Sequence, residues 1–470
     1  MKASYEEPLI NSSRLGISVL LFLSGAILFS HRADLSLGIV CMVNHTYADL
    51  VNVKQQNIRK ECVSQKEDTH LLEGEFEWPR QIQGYILGSF FYGYLTTQVL
   101  GGYLCERFGS KLFLLVSVLI SSIFTLLIPI LSNWHWIGLL VARVLVGMGQ
   151  GFFMPAVQEC IIQWFPIHER GLLNGISHSG FQLGTIFSIF ISAPLCQYGP
   201  LGGWPSIFYI FGTLGILFIP LWVIFGASSP KTSKRITSIE RLYIENSNKA
   251  IIEDTTVLTI PWKAMLTSQD FWIILLGHFT STFGNFFITA VAPLMIKNLF
   301  GISISNLGYI SALPFIALFF SIQLAGAAID FIIRKKMLSV HDCRRLFMFV
   351  GITGQSILFL LSAFLTCHQS NLAILLIVLA VAVSGLNLVT VPLTYLEVAG
   401  NHASIATGFG NMGASVAGLA GPLLYSLLTP NNTQQEWRLL FIVIFAILNI
   451  GSFTFVLFYD GRLAKWARKH

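Results

Sequence analysis

Apolar runs of about twenty residues alternate with short polar turns along the whole chain, and each run is long enough to cross a hydrocarbon core. The pattern predicts twelve spans, at about 14–43, 82–104, 112–132, 137–160, 172–195, 205–228, 271–295, 306–333, 345–366, 371–395, 403–426 and 437–459. The stretch 141–171, VARVLVGMGQGFFMPAVQECIIQWFPIHERG, combines an arginine in an apolar run, glycines at helix-contact spacing, a midspan proline and a charged exit. Such a helix lines a path rather than facing lipid on every side.

The spacing divides the chain into a tail (1–14), six spans (15–228), a polar linker (229–270), six more spans (271–459) and a second tail (460–470). The linker holds the basic run 231–235 and one amphipathic segment, 239–248, and is too short for an enzymatic domain. The charged turn with Glu106, Arg107 and Lys111 is echoed in the second half by Asp330, Arg334, Lys335 and Lys336. That echo predicts an all-α polytopic protein of two six-helix bundles related by an axis along the membrane normal, with a path between them.

Loop 44–80 holds more acids than bases and opens on the glycosylation acceptor Asn44-His45-Thr46; a second acceptor begins at Asn431. Both are expected on a lumenal or extracellular side, which leaves both termini cytoplasmic. Residues 5–10, YEEPLI, loosely fit an endolysosomal sorting signal, but a short disordered tail is the simpler reading.

Composition agrees: 54% hydrophobic and 11% charged residues exclude a soluble domain of this length. The net charge of +6 sits in turns between spans and follows the positive-inside pattern, so no nucleic-acid partner is implied. Seven cysteines have neither even count nor ligand spacing, which indicates neither a disulfide framework nor a metal site. No nucleophile-base grouping, HExxH or P-loop occurs, so the chain is expected not to be an enzyme and to need no cofactor.

An arginine near the bilayer centre costs at least ~2.5 kcal/mol and must face a cavity or a partner. Arg32 is such a residue, and Arg143 opens the fourth span above Gln150 and Gln158, which share its face. These four are candidate substrate contacts, with Tyr92, Phe286 and Asn411 shaping the cavity. A structural ion pair with Asp34 is the competing reading of Arg32, and polar helix packing that of the glutamines. Asp34, His178 and Glu397 are candidates for coupling to H+ or Na+, with Glu159 and His278 as further titratable groups.

The runs QGYILGSFFYGYLTTQVLGGYLCERFGSK (83–111), ARVLVGMGQGFFMPA (142–156) and WFPIHERG (164–171) resemble the anion:cation symporter family of the major facilitator superfamily. GFQLGTIFS (180–188), SALPFIA (311–317) and SLLTPNNTQQEW (426–437) extend the resemblance over nearly the whole membrane core. Within that group of sialins, type I sodium/phosphate transporters and vesicular glutamate transporters, the likeness is nearest to the sialin branch. It implies a twelve-helix alternating-access carrier, Arg32 as the first-span anion arginine, Arg143 as the fourth-span arginine, and Glu106 and Arg107 in the cytoplasmic gating motif.

The chain departs from the sialin branch at Val146, Gln150 and Gln158, where that branch has two glutamates and a histidine, and at Phe286, where it has a tyrosine. The seventh-span arginine of glutamate carriers falls on Ser281. The expected function is therefore secondary transport of a small organic anion, such as a sialic acid-like sugar or related carboxylate, by a monomer in a lysosomal or endosomal membrane. A plasma-membrane sodium-dependent phosphate or organic-anion carrier, or an anion sensor that no longer cycles, are the alternatives.

Overall fold

A computed structural model describes residues 8–44, 74–200, 202–248, 260–298, 304–366, 369–429 and 433–467. Most of loop 44–80, the first half of the motif at 5–10, Asn431, Cys62 and Cys367 lie outside the described residues. The chain is all-α; an isolated bridge pairs Val43 with Phe76.

Before the polar connector run α1 (Ser13–Met42), α2 (Arg80–Phe108), α3 (Ser110–Trp134), α4 (Trp136–Gly151), α5 (Phe153–Trp164), α6 (Arg170–Tyr198) and α7 (Trp204–Phe225). The connector carries α8 (Ser238–Asn248) and α9 (Trp262–Leu266). After it come α10 (Gln269–Asn298), α11 (Ile304–Arg334), α12 (Val340–Ala363), α13 (Ser370–Val383), α14 (Gly385–Ala399), α15 (Ala403–Leu428) and α16 (Gln434–Phe458). Among the described residues, 9 helical stretches are long and apolar enough to cross a membrane, one of them the 56-residue run Ser370–Tyr425 that covers α13 to α15. The protein is thus a polytopic membrane protein.

The expected fourth span is interrupted. Pro155 has no N–H to offer the carbonyl of Gly151, and the chain tightens there, with Phe152 N–H donating to Gly149 O at 3.4 Å. The expected tenth span breaks likewise at Ser384, whose hydroxyl donates to Val381 O at 2.7 Å and to Asn285 Oδ1 at 2.8 Å.

Packing repeats across the connector. In the first half α1 packs on α6 and α7, α2 on α4, and α3 on α4 and α7; in the second α10 packs on α15 and α16, α11 on α13, and α12 on α13 and α16. The halves meet where α6 lies on α11 and α2 on α15. Close approach of α2 and α4 depends on two glycines: a Cβ at Gly93 would strike Val144 O, and one at Gly147 would strike Phe90 O.

One end of the molecule gathers the connector, the start of α1 and the end of the chain. Glu240 of α8 accepts from the backbone N–H of Ser13 and Arg14, both at 3.0 Å, filling the role of an N-terminal cap for α1. The Arg14 guanidinium bridges Glu169 at 2.6 Å and Glu240 at 3.2 Å. Ala464 N–H donates to Val398 O at 3.0 Å at the same end. The opposite end holds a disulfide between Cys41 of α1 and Cys196 of α6, with Cα atoms 6.1 Å apart. The cysteine count hid this pair, because a separation of 155 residues leaves no local spacing to read.

Candidate functional site

A cavity of about 910 Å³ lies between the halves, with walls from α1, α2, α4, α5 and α6 on one side and α10, α11, α13, α14 and α15 on the other. The helix breaks before α5 and α14 bring Gln158 and Pro392 to its floor, where Gln158 Nε2 donates to Pro392 O at 2.7 Å across the two halves.

Arg32 projects into the cavity among rings. Its guanidinium carbon lies 4.9 Å from the centroid of Phe90, 5.0 Å from Phe91, 5.2 Å from Phe286, 5.6 Å from Tyr94 and 5.7 Å from Phe29. A ring face stabilises a cation by roughly 0.5–1 kcal/mol at an exposed site and about 2 kcal/mol where water is excluded, but the rings leave the N–H edges without a charged acceptor. Among the described residues no carboxylate lies within ion-pair distance of Arg32.

Arg143, also in the wall, is bound differently. Its Nη1 donates to His31 O at 2.8 Å and to Asp34 Oδ1 at 3.3 Å, and its Nη2 donates to Arg32 O at 3.3 Å. Asp34 is fully buried by this contact, so Asp34 pairs with Arg143 and Arg32 is left to the rings.

The remaining expected residues separate into three groups. Gln158, His178, Phe286 and Asn411 line the cavity; His178 Nδ1 lies 3.0 Å from Asn174 O, and Asn411 Nδ2 donates to Thr407 O at 3.1 Å. Gln150 is buried behind the wall, donating to Leu28 O at 2.9 Å, and Tyr92 is 59% exposed on the outer face of α2. The 100° advance per residue that turns Phe91 and Tyr94 inward turns Tyr92 out. Glu397 stands at the connector end, accepting from Arg344 Nε at 2.9 Å and Tyr459 Oη at 2.6 Å.

At that end the halves are joined by two carboxylates that serve as helix caps. Glu106 at the end of α2 accepts from Ile405 N–H of α15 at 3.2 Å and lies 3.1 Å from His402 Nδ1. Asp330 at the end of α11 accepts from Gly171 N–H at 3.0 Å and Leu172 N–H at 2.7 Å, at the start of α6. Glu159 adds a bond from Ser404 Oγ at 2.8 Å. Arg107 and Lys111 stay within the first half, donating to Tyr103 Oη at 3.2 Å and Val223 O at 2.9 Å. Of the three charged residues in that turn, Glu106 alone joins the halves among the contacts described.

Sequence reading missed the ring cage, although Phe90, Phe91 and Tyr94 in GSFFYGY have the three-to-four spacing that places them on one helix face. It also missed the backing of His278, whose Nδ1 lies 2.9 Å from Tyr395 Oη, both residues standing in the second-half wall of the cavity.

A two-halved helical protein with a central cavity between the halves has the form of a membrane carrier, and comparison with known proteins agrees. Residues 68–341 and 274–469 match the Major Facilitator Superfamily profile. The chain is 34% identical over 468 residues to the uncharacterized transporter slc-17.2 of Caenorhabditis elegans, covering 99% of this chain and 95% of that one. It is 32% identical over 464 residues to sialin of Ovis aries, covering 98% and 92%. A solved structure of the proton:xylose symporter XylE, 15% identical, superposes with a TM-score of 0.64 over 97% of this chain and 98% of that one, which shows the fold. The chain belongs to the major facilitator superfamily, in the branch that holds sialins, vesicular glutamate transporters and phosphate cotransporters. Its family is one of membrane transporters rather than enzymes.

Proposed function

We propose that this carrier moves acidic sugars or related carboxylates by alternating access, with twelve spans in two six-helix bundles that rock about the cavity. The observation that carries the reading is Arg32: a cation facing a membrane-depth cavity with ring faces around it and no described carboxylate in reach. A substrate carboxylate supplies the acceptor that its N–H edge lacks. Gln158, His178 and Asn411 orient the uncharged part of the substrate, and Phe286 packs against it from the second half.

In this cycle the Glu106 and Asp330 caps hold the connector end shut, and both must release for the cavity to open there. Both termini are assigned to the cytoplasm and the protein to a lysosomal or endosomal membrane, functioning as a monomer. The disulfide at the end opposite the connector supports this orientation, since such bonds persist in oxidising compartments. H+ or Na+ is the coupling ion, with Asp34, His178 and Glu397 as sites to test. A sodium- or potential-driven organic-anion or phosphate carrier is the second reading, favoured by the neutral amides Gln150 and Gln158, both bonded to backbone carbonyls.

The deciding experiment is uptake of a labelled acidic sugar into proteoliposomes with proton, sodium and voltage gradients imposed separately. Arg32→Ala should abolish uptake while membrane insertion stays normal; retained uptake sinks the assignment. Counterflow without an imposed gradient separates a carrier from an anion sensor, which binds without exchange.

A further inference from the structure

We propose that Asp34 sets the charge selectivity of the cavity: by pairing with Arg143 it leaves Arg32 as the single unpaired cation of the described lining and restricts the site to substrates bearing one negative charge. The inference rests on the anion-cavity reading above and adds a limit to it.

The Asp34 carboxylate is buried against the Arg143 guanidinium at 3.3 Å; two backbone carbonyls also accept from that arginine, and its guanidinium carbon lies 5.7 Å from the centroid of the Phe90 ring. Arg143 Nε and Asp34 Oδ2 are buried without hydrogen-bond partners. The pair is therefore imperfectly satisfied, and Arg143 is an arginine in the cavity wall whose charge is cancelled rather than absent. Without Asp34 the same wall would present two cations.

The described lining contains no aspartate or glutamate. Its other titratable groups are already in contact with protein: His178 with Asn174 O, His278 and Tyr395 with each other, and Tyr94 against Arg32. A second carboxylate entering this cavity meets no free cation, and an ammonium meets no anion. Either would be desolvated without compensation, which disfavours binding strongly in a largely apolar enclosure. A single carboxylate on an uncharged body matches the site.

Three acids on the same six-carbon chain test this: hexanoate with one charge, adipate with two, and 6-aminohexanoate as a zwitterion. Their half-saturating concentrations are read from thermal stabilisation of the purified full-length protein, so that no transport step intervenes. Wild type should bind hexanoate at least about tenfold more tightly than either of the others. Asp34→Asn should bring adipate to within about twofold of hexanoate or below it, by freeing Arg143, while 6-aminohexanoate stays weak.

Equal binding of adipate and hexanoate by wild type overturns the inference, and so does an unchanged ratio in Asp34→Asn. Should that variant fail to fold, the wild-type comparison still decides. Failure of all three acids to stabilise wild type is a different result: it refutes the anion cavity itself.

Discussion

Asp330→Asn removes the charge from one of the two caps that close the connector end. The wild-type carboxylate accepts two backbone N–H bonds, at 3.0 and 2.7 Å, at the start of α6. Hydrogen bonds to a charged group contribute about 1.5–3 kcal/mol each, against about 0.5–1.5 for neutral partners. Replacing charge with a neutral amide therefore loses about 1 kcal/mol per bond, or about 2 kcal/mol in all, before the smaller helix-dipole contribution of ~0.5. These bonds exist only while α11 and α6 meet, so the loss falls on the connector-closed state. About 2 kcal/mol shifts the balance of states by roughly 30-fold towards opening. Spin labels at His168→Cys and Lys336→Cys, exposed turn residues next to the cap on either half, report the separation by electron paramagnetic resonance. Asp330→Asn should enlarge the long-distance population in the absence of substrate. An unchanged distance distribution in a folded variant would refute the assignment of Asp330 as a closing cap.

Gly147→Ala places a methyl group against Phe90 O, where the structure has no room, and should lower thermal stability in detergent by about 1–3 kcal/mol as α2 and α4 separate. Cys41→Ser removes the link between α1 and α6 and should lower thermal stability by roughly 2–4 kcal/mol, with reductant producing the same shift in wild type and none in the variant.

The polytopic, all-α character was legible because membrane helices are written as long apolar runs, and the helix in the connector was read from its amphipathic pattern to within a residue, at Ser238–Asn248. The interruptions at Phe152 and Ser384 were less visible: hydropathy is blind to a local loss of backbone bonding, although Pro155 and the adjoining glycines marked the first. Arg32 and Arg143 could be flagged as intramembrane charges, but not told apart. Which of them Asp34 takes depends on the three-dimensional placement of α4 beside α1, and Asp34, two positions after Arg32, lies closer to it in sequence than to Arg143. Glu106 was flagged by its place in a charged turn, whereas its partners His402 and Ile405 lie some 300 positions away and no local pattern points to them. Tyr92 was misread for want of a phase: in a run as aromatic as FFYGY, composition does not say which ring turns inward.

The rings around Arg32 come from both halves, Phe29, Phe90, Phe91 and Tyr94 from the first and Phe286 from the second. On the proposed reading of Arg32 as the binding charge of an alternating-access cycle, the unloaded protein would have to carry that charge through an occluded state with no anion beside it, and a bare guanidinium there would stall the return stroke. Here the quadrupoles of the protein's own side chains stand in for the missing counter-ion. In that cycle the arrangement would lower the electrostatic barrier to empty reorientation, the step that distinguishes net flux from obligatory one-for-one swapping. The cage thus bears on whether the carrier can empty a compartment or only trade its contents.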